Sequence, residues 1–205
     1  TRTYGGALAD YNSAFASLDE RTGRAWPAKV RIAEKAVAKI RSKGTIFLDA
    51  GTTIQAVARA LMHRRDLIQL VVATNNLAVA SVLGGAPGVE LHLVGGTFLN
   101  RQAALMGPRA VRALDDWSFD AAFLGGEGMD DAGVSNSHES IAEFQRAVLR
   151  QTGDIYFCLD ASKIGRSTPH RVAPWPQLTA LITDATPRQL AAAGIELPSR
   201  KLLRA

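Results

Sequence analysis

Apolar and polar positions along the chain fall into blocks that switch between two periods. Thr45-Ile46-Phe47-Leu48 is a short β-branched and aromatic run of the kind a buried strand shows. Ile54, Val57, Ala58 and Leu61 then recur at helical spacing. Leu67 to Ala73 predicts a second strand, and Leu77, Val79, Ala80 and Leu83 a helix that Gly84-Gly85 ends. Val89 to Val94 predicts a third strand, whereas Thr97 to Met106 has no clear period and reads as a loop. A helix is expected from Pro108 to about Leu114, a strand from Asp120 to Leu124, and a helix from Ser137 to Gln151 on the stripe Ile141, Phe144, Val148. Ile155 to Leu159 reads as a strand; a proline-bearing stretch from Pro169 to Pro176 then leads to another at Thr179 to Ile182. A helix near Pro187 to Ala193 and a short strand at Lys201 to Leu203 close the chain.

Ahead of the first strand, Trp26-Pro27 suits a helix start. Val30, Ala33, Val37 and Ile40 mark an amphipathic helix with Lys29, Arg31, Lys35, Lys39 and Arg41 outside and Gly44 as its C-terminal cap. Residues 1–25 mix glycine, small residues and charge and read as an interdomain linker or arm, leaving residues 26–205 as the main domain. Strand–helix alternation of this kind predicts an α/β fold, a mostly parallel sheet with helices on both faces.

Composition narrows the classes. With 47% hydrophobic and 21% charged residues the chain is ordinary for a soluble globular protein. No apolar run approaches bilayer length and no signal-peptide pattern is present, so no membrane partner and a cytoplasmic location are expected. The single cysteine, Cys158, lies in an apolar run, makes no internal disulfide and reads as a small buried hydrophobe. The histidines at 63, 92, 138 and 170 are scattered without metal spacing. The net charge of +5 sits entirely in residues 1–43, which hold nine Lys or Arg against four Asp or Glu. On charge alone a solvated helix face is the better reading than nucleic-acid contact.

The polar residues that follow the strands carry the candidate chemistry. Asp49, Thr74, Gly95, Gly125 and Asp160 each stand just after an apolar strand run. In a parallel sheet those positions share the carboxyl edge, where α/β proteins bind ligands. Gly51-Thr52-Thr53 opens a helix and offers backbone N–H groups and hydroxyls that suit a phosphate, or else a simple helix cap. Thr74 and Asn75 begin a second helix and can serve the same anion or sugar hydroxyls. Gly95-Gly96 and Gly125-Gly126 let a ligand approach the backbone. Lys163 brings a positive charge, and Asp49, Asp130 and Asp160 can accept hydrogen bonds from hydroxyls. No dinucleotide fingerprint and no Walker lysine is present, so no cofactor or metal is expected.

The ordered set Ile46 to Thr53, Ala73-Thr74-Asn75-Asn76, Val94-Gly95-Gly96, Phe123-Leu124-Gly125, Asp160 to Gly165 and Thr183-Asp184 resembles the C-terminal sensor domain of DeoR-type bacterial transcriptional repressors. Tyr4-Gly5-Gly6-Ala7 is similar to the segment that follows the winged helix-turn-helix in that family. The resemblance implies a fold related to ribose-5-phosphate isomerase and the coenzyme A transferases. It also implies a homo-oligomer that meets operator DNA through an N-terminal domain preceding Thr1. The effector it implies is a phosphorylated sugar or polyol, lined by Asp49, Gly51, Thr52, Thr53, Thr74, Asn75, Gly95, Gly96, Gly125, Asp130 and Lys163. Where the family often has an acid before Ala142 and a cation three residues after it, this chain has Ile141 and Gln145. The alternative is an active aldose–ketose isomerase, with Asp130 or Glu143 as base and Lys163 as electrophile. The isomerase's paired-aspartate motif and glycine-rich lysine loop have no counterpart around Gly125 to Ser137, so a non-enzymatic sensor is expected.

Overall fold

The computed structural model describes residue 23 and residues 25–205, so the arm expected at residues 1–25, with Tyr4-Gly5-Gly6-Ala7, lies almost wholly outside them. Helix α1 (Trp26–Val37) is followed by β1 (Thr45–Leu48), α2 (Thr52–Leu61), β2 (Leu70–Thr74), α3 (Leu77–Leu83) and β3 (Val89–Leu93). A hairpin of β4 (Thr97–Leu99) and β5 (Ala104–Met106) leads to α4 (Pro108–Arg112) and β6 (Phe119–Leu124). A second hairpin, β7 (Gly128–Asp130) and β8 (Gly133–Asn136), precedes α5 (Glu139–Arg150) and β9 (Thr152–Cys158). The chain finishes through β10 (His170–Ala173), β11 (Ala180–Thr183), α6 (Pro187–Ala192) and β12 (Leu202–Arg204).

Seven strands form one parallel sheet in the order β12-β11-β9-β6-β1-β2-β3. Side chains alternate across it as the pleat requires. Ile46 and Leu48 of β1, Ala121 and Phe123 of β6, and Tyr156 and Cys158 of β9 pack with α1, α2 and α3. Phe47, Ala122, Leu124, Ile155 and Phe157 pack on the other face with α4, α5 and α6. Phe47 holds that face together, with its ring 5.5 Å from Phe119 and 5.9 Å from Phe144 of α5. The mostly parallel sheet with helices on both faces is the architecture the alternation predicted. Among the described residues no helix is long and apolar enough to cross a membrane.

Four details depart from the sequence reading. Thr97 to Met106 is a hairpin joined by a 3-10 turn at Asn100–Gln102, not a loop. Its strands are three residues long and exposed on one side, too short to show a period. β7, β8 and β10 form a small antiparallel sheet over the carboxyl edge of the large one. β7 and β8 are short and hold Gly, Ser and Asn, and β10 opens on His170 and Arg171, so no apolar run announced them. Helix α1 buries Ala28, Lys29, Ile32, Ala33, Ala36 and Val37, so Ala33 and Val37 face inward as expected, whereas Val30 is 37% exposed and Lys29, expected outside, is buried. It also ends at Val37, seven residues before Gly44, because Ala38 closes it and Lys43 at φ 62° makes the turn into β1.

Candidate functional site

The sheet divides at its middle. From β1 the connections step outward through β2 to β3 with α2 and α3 on one face, and from β6 they step through β9 with α5 on the other face. The two sets of crossovers part between the carboxyl ends of β1 and β6, and in an open parallel sheet that is where a crevice forms. A cavity of about 370 Å³ opens there. This volume falls in the range of small-molecule sites.

The floor is built from the ends of those two strands. Asp49, the first residue after β1, is 1% exposed. Its Oδ2 accepts from the Gln145 side-chain amide at 2.6 Å and from the Gly125 N–H at 3.2 Å. Gln145 Nε2 also donates to the Gly125 carbonyl at 2.9 Å, and Gln145 Oε1 accepts from Asn136 Nδ2 at 3.4 Å. One buried polar network therefore ties β1, β6, β8 and α5 together. Burial pushes the Asp49 carboxyl up to about 6, against the lowering effect of the Gln145 amide and the Ala50 and Gly125 N–H groups. None of those groups is a cation, so burial wins.

One wall is the start of α2. Gly51, at φ 115°, turns the chain into the helix, a conformation that favours glycine. No side chain caps the helix; Gly51, Thr52, Thr53 and Ile54 face the cavity instead. The first turn thus presents its N–H groups to any occupant, with the positive end of the helix dipole behind them. Lys163 and Ser162, from the 3-10 turn Ala161–Lys163, and Arg166 after it complete the cationic side. Asp160 caps that turn, accepting from the Ser162 N–H at 3.0 Å. Lys29, on the first turn of α1, is 4% exposed and reaches the same cavity.

Of the residues expected at a site, the cavity brings together Asp49, Gly51, Thr52, Thr53, Gly125 and Lys163. Thr74, Asn75, Gly95, Gly96 and Asp130 lie outside its lining. Thr74 Oγ1 accepts from the Asn76 N–H in a local turn, and Asn75 donates to the Leu105 carbonyl at 3.2 Å, which ties it to the β4–β5 hairpin. A Cβ on Gly96 would stand 2.6 Å from the Met106 carbonyl oxygen, which makes that glycine a packing requirement. Gly95 faces solvent next to it. Asp130 is held by Arg171 at 2.5 Å, and that guanidinium is the main reason its carboxyl sits below the usual range.

Sequence reasoning gave no site role to Lys29, Gln102, Glu127, Asn136, Arg166 and Thr168, and named Gln145 only as standing where the family often has a cation; all seven line the cavity. Gln102 and Asn136 come from the two unforeseen hairpins. The one available signal was Gln145, a polar residue one position beyond the apolar stripe of α5.

The family model described as the DeoR C terminal sensor domain matches residues 25–185. A putative aga operon transcriptional repressor of Escherichia coli O157:H7 is 31% identical over 187 residues, covering 89% of this chain and 68% of the relative. The Glycerol-3-phosphate regulon repressor of Escherichia coli K12 is 30% identical over 193 residues, covering 91% and 73%. Among solved structures, the translation initiation factor eIF-2B of Pyrococcus horikoshii OT3 superposes with a TM-score of 0.51 at 15% identity, covering 76% of this chain and 62% of that one. That is a likeness of fold alone. Both relatives are repressors of transcription and the matching model is a sensor domain, so the isomerase alternative gives way to a regulatory, non-enzymatic reading. The chain belongs to the family of DeoR C-terminal sensor domains.

Proposed function

We propose that the cavity between β1 and β6 binds the phosphate ester of a sugar or polyol, and that its occupancy alters how a homo-oligomeric cytoplasmic repressor holds operator DNA through an N-terminal domain. The observation that carries this reading is the uncapped first turn of α2 opening into the cavity. Its N–H groups and the hydroxyls of Thr52 and Thr53 suit the phosphate oxygens, with Lys163 and Arg166 adding charge. Asp49 and Gly125 on the floor meet the sugar or polyol end. The name of the glycerol-3-phosphate relative supports a phosphorylated polyol in this chain as well. An effector acts here only through unequal affinity for two repressor states.

Thermal shift of the chain against a panel of sugar and polyol phosphates tests the reading, followed by an aldose–ketose isomerase assay on every hit. Strong stabilisation without turnover is the expected result, and turnover at enzyme-like rates refutes it. Lys163→Ala should weaken the best phosphate ester about tenfold, the loss of one charge-assisted contact of roughly 1.4 kcal/mol. Thr53→Val should weaken it too, and unchanged affinity in both variants removes α2 and Lys163 from the site.

A further inference from the structure

Strand β3 ends the large sheet, and among the described residues no strand pairs with its outer side. Natural edges of this kind are blunted by a proline, a lysine or a bulge. β3 has none of these, and its five residues keep unbroken register with β2. The ladder fixes which groups point outward. The Leu70 N–H donates to the Gly88 carbonyl at 2.9 Å and the Val94 N–H to the Thr74 carbonyl at 2.8 Å, so Gly88, Glu90, His92 and Val94 are the residues that bond β2. Leu91 and Leu93 therefore direct both N–H and C=O away from the sheet. Val89 directs its C=O the same way, its N–H being engaged by the Ala86 carbonyl at 3.3 Å.

The side chains are ordered about Leu91. Glu90 and His92 share one face, both exposed, with His92 Nε2 2.7 Å from Glu90 Oε1. Val89, Leu91 and Leu93 share the other; the first two pack against the core and Leu93 is 45% exposed. A second copy laid antiparallel on this edge, with a twofold axis at Leu91, finds every group matched. Leu91 and the partner's Leu91 exchange two backbone hydrogen bonds, and each Leu93 N–H meets a Val89 carbonyl across the axis. Glu90 falls opposite the partner's His92 in a non-hydrogen-bonded pair, where side chains lie closest. Sliding the register by two residues either way sets Glu90 against Glu90 or His92 against His92, so charge selects this one alignment. We infer that β3 pairs antiparallel with β3 of a second copy of this chain, Glu90 facing the partner's His92. This assigns a surface to the homo-oligomer proposed above, and it stands apart from the phosphate-ester reading because no residue from 89 to 93 lines the cavity.

Sedimentation equilibrium of the chain over a concentration series tests the pairing. The wild-type chain should associate reversibly in multiples of two. Glu90→Lys and His92→Glu should each weaken association about tenfold or more, because each mismatch occurs twice across the axis. An equimolar mixture of the two variants should recover wild-type association to within about threefold, since every substituted lysine then faces a substituted glutamate and every native imidazole a native carboxylate. Within each chain the mismatch persists, so recovery reads the contact between chains alone. Should His92→Glu fail to fold, Leu91→Cys decides. Oxidised glutathione should join two such chains covalently, because paired Cα atoms about 5.5 Å apart lie within disulfide reach and Cys158 is buried. Association untouched by the variants, no recovery on mixing, or no covalent dimer overturns the pairing and leaves a homo-oligomer built on another surface. A monomer at every concentration overturns both this pairing and any assembly carried by this chain, and the cavity reading survives either result.

Discussion

Asp49→Asn should make the folded chain more stable at neutral pH and leave it unchanged in acid. The Asp49 carboxyl is raised from 3.8 to about 6 because burial outweighs three hydrogen bonds. Below about pH 4 the group is neutral whether the chain is folded or unfolded and contributes nothing to the difference. Between pH 4 and 6 the unfolded carboxyl has ionised and the folded one still holds its proton, so stability falls as pH rises. Above about pH 6 both are ionised and the full penalty is in force, about 3 kcal/mol at 1.36 kcal/mol per pKa unit. Asparagine has the same shape and no charge. Its amide oxygen can take the place of Oδ2 and accept from Gln145 and Gly125. Urea denaturation of both proteins at intervals from pH 4 to 7 provides the comparison, and subtracting the curves cancels carboxylates that do not touch residue 49. The advantage of asparagine should grow by about 2.4 kcal/mol over that window, a factor of about 60 in the unfolding constant, part of the penalty being already in force at pH 4. A difference that stays flat to within about 0.5 kcal/mol, or that grows toward acid, refutes the account of Asp49 as a carboxylate whose charge is poorly compensated.

Gln145→Leu leaves Asp49 Oδ2 with one fewer donor and the Gly125 carbonyl without its side-chain partner; it should lower stability by about 2–4 kcal/mol in urea denaturation at pH 7. Asp130→Asn breaks an ion pair whose Arg171 side chain is 38% exposed. It should cost about 1 kcal/mol or less and leave the affinity of any cavity ligand unchanged by calorimetry, since Asp130 lies outside the lining. Gly133→Ala places a Cβ 2.1 Å from the Ala173 carbonyl oxygen at a φ of 132°. It should reduce the melting temperature sharply, by about 3 kcal/mol or more of stability, through displacement of β8 from β10.

The centre of the large sheet was legible because β1, β6 and β11 are buried on both faces and read as nearly unbroken apolar runs. Thr45-Ile46-Phe47-Leu48 has the same limits in sequence and structure, and Leu77 to Leu83 likewise. The small sheet over the site was not legible. Ser135 and Asn136 sit in β8 with their side chains hydrogen-bonded to Thr168 and Gln145, and Gly128 sits in β7 where a Cβ would stand 2.0 Å from the Arg166 carbonyl oxygen. The floor of the site followed from strand ends, but sequence could not order the strands. Thr74 ends β2 and Gly95 follows β3, one and two places beyond β1, whereas Asp49 and Gly125 follow adjacent strands. Equal-looking motifs therefore have unequal positions. Lys29 was hidden for another reason: on a helix rich in Lys and Arg, charge alone does not reveal which lysine turns inward.

The adjacency of β1 and β6 also dictates when the site comes into being. Ile46 pairs with Ala121 and Leu48 with Phe123, so the two halves of the floor lie some 75 residues apart in the chain. Closing a loop of that length precedes any gain from the contacts it allows, which makes such pairings slow to form. Gln145 must then dock from a helix that lies beyond both strands. A partly folded chain accordingly has the turn of α2 but no floor beneath it. A cavity ligand therefore has little to hold before the centre of the sheet has closed, and its influence on the lifetime of the protein is exerted on unfolding rather than on folding.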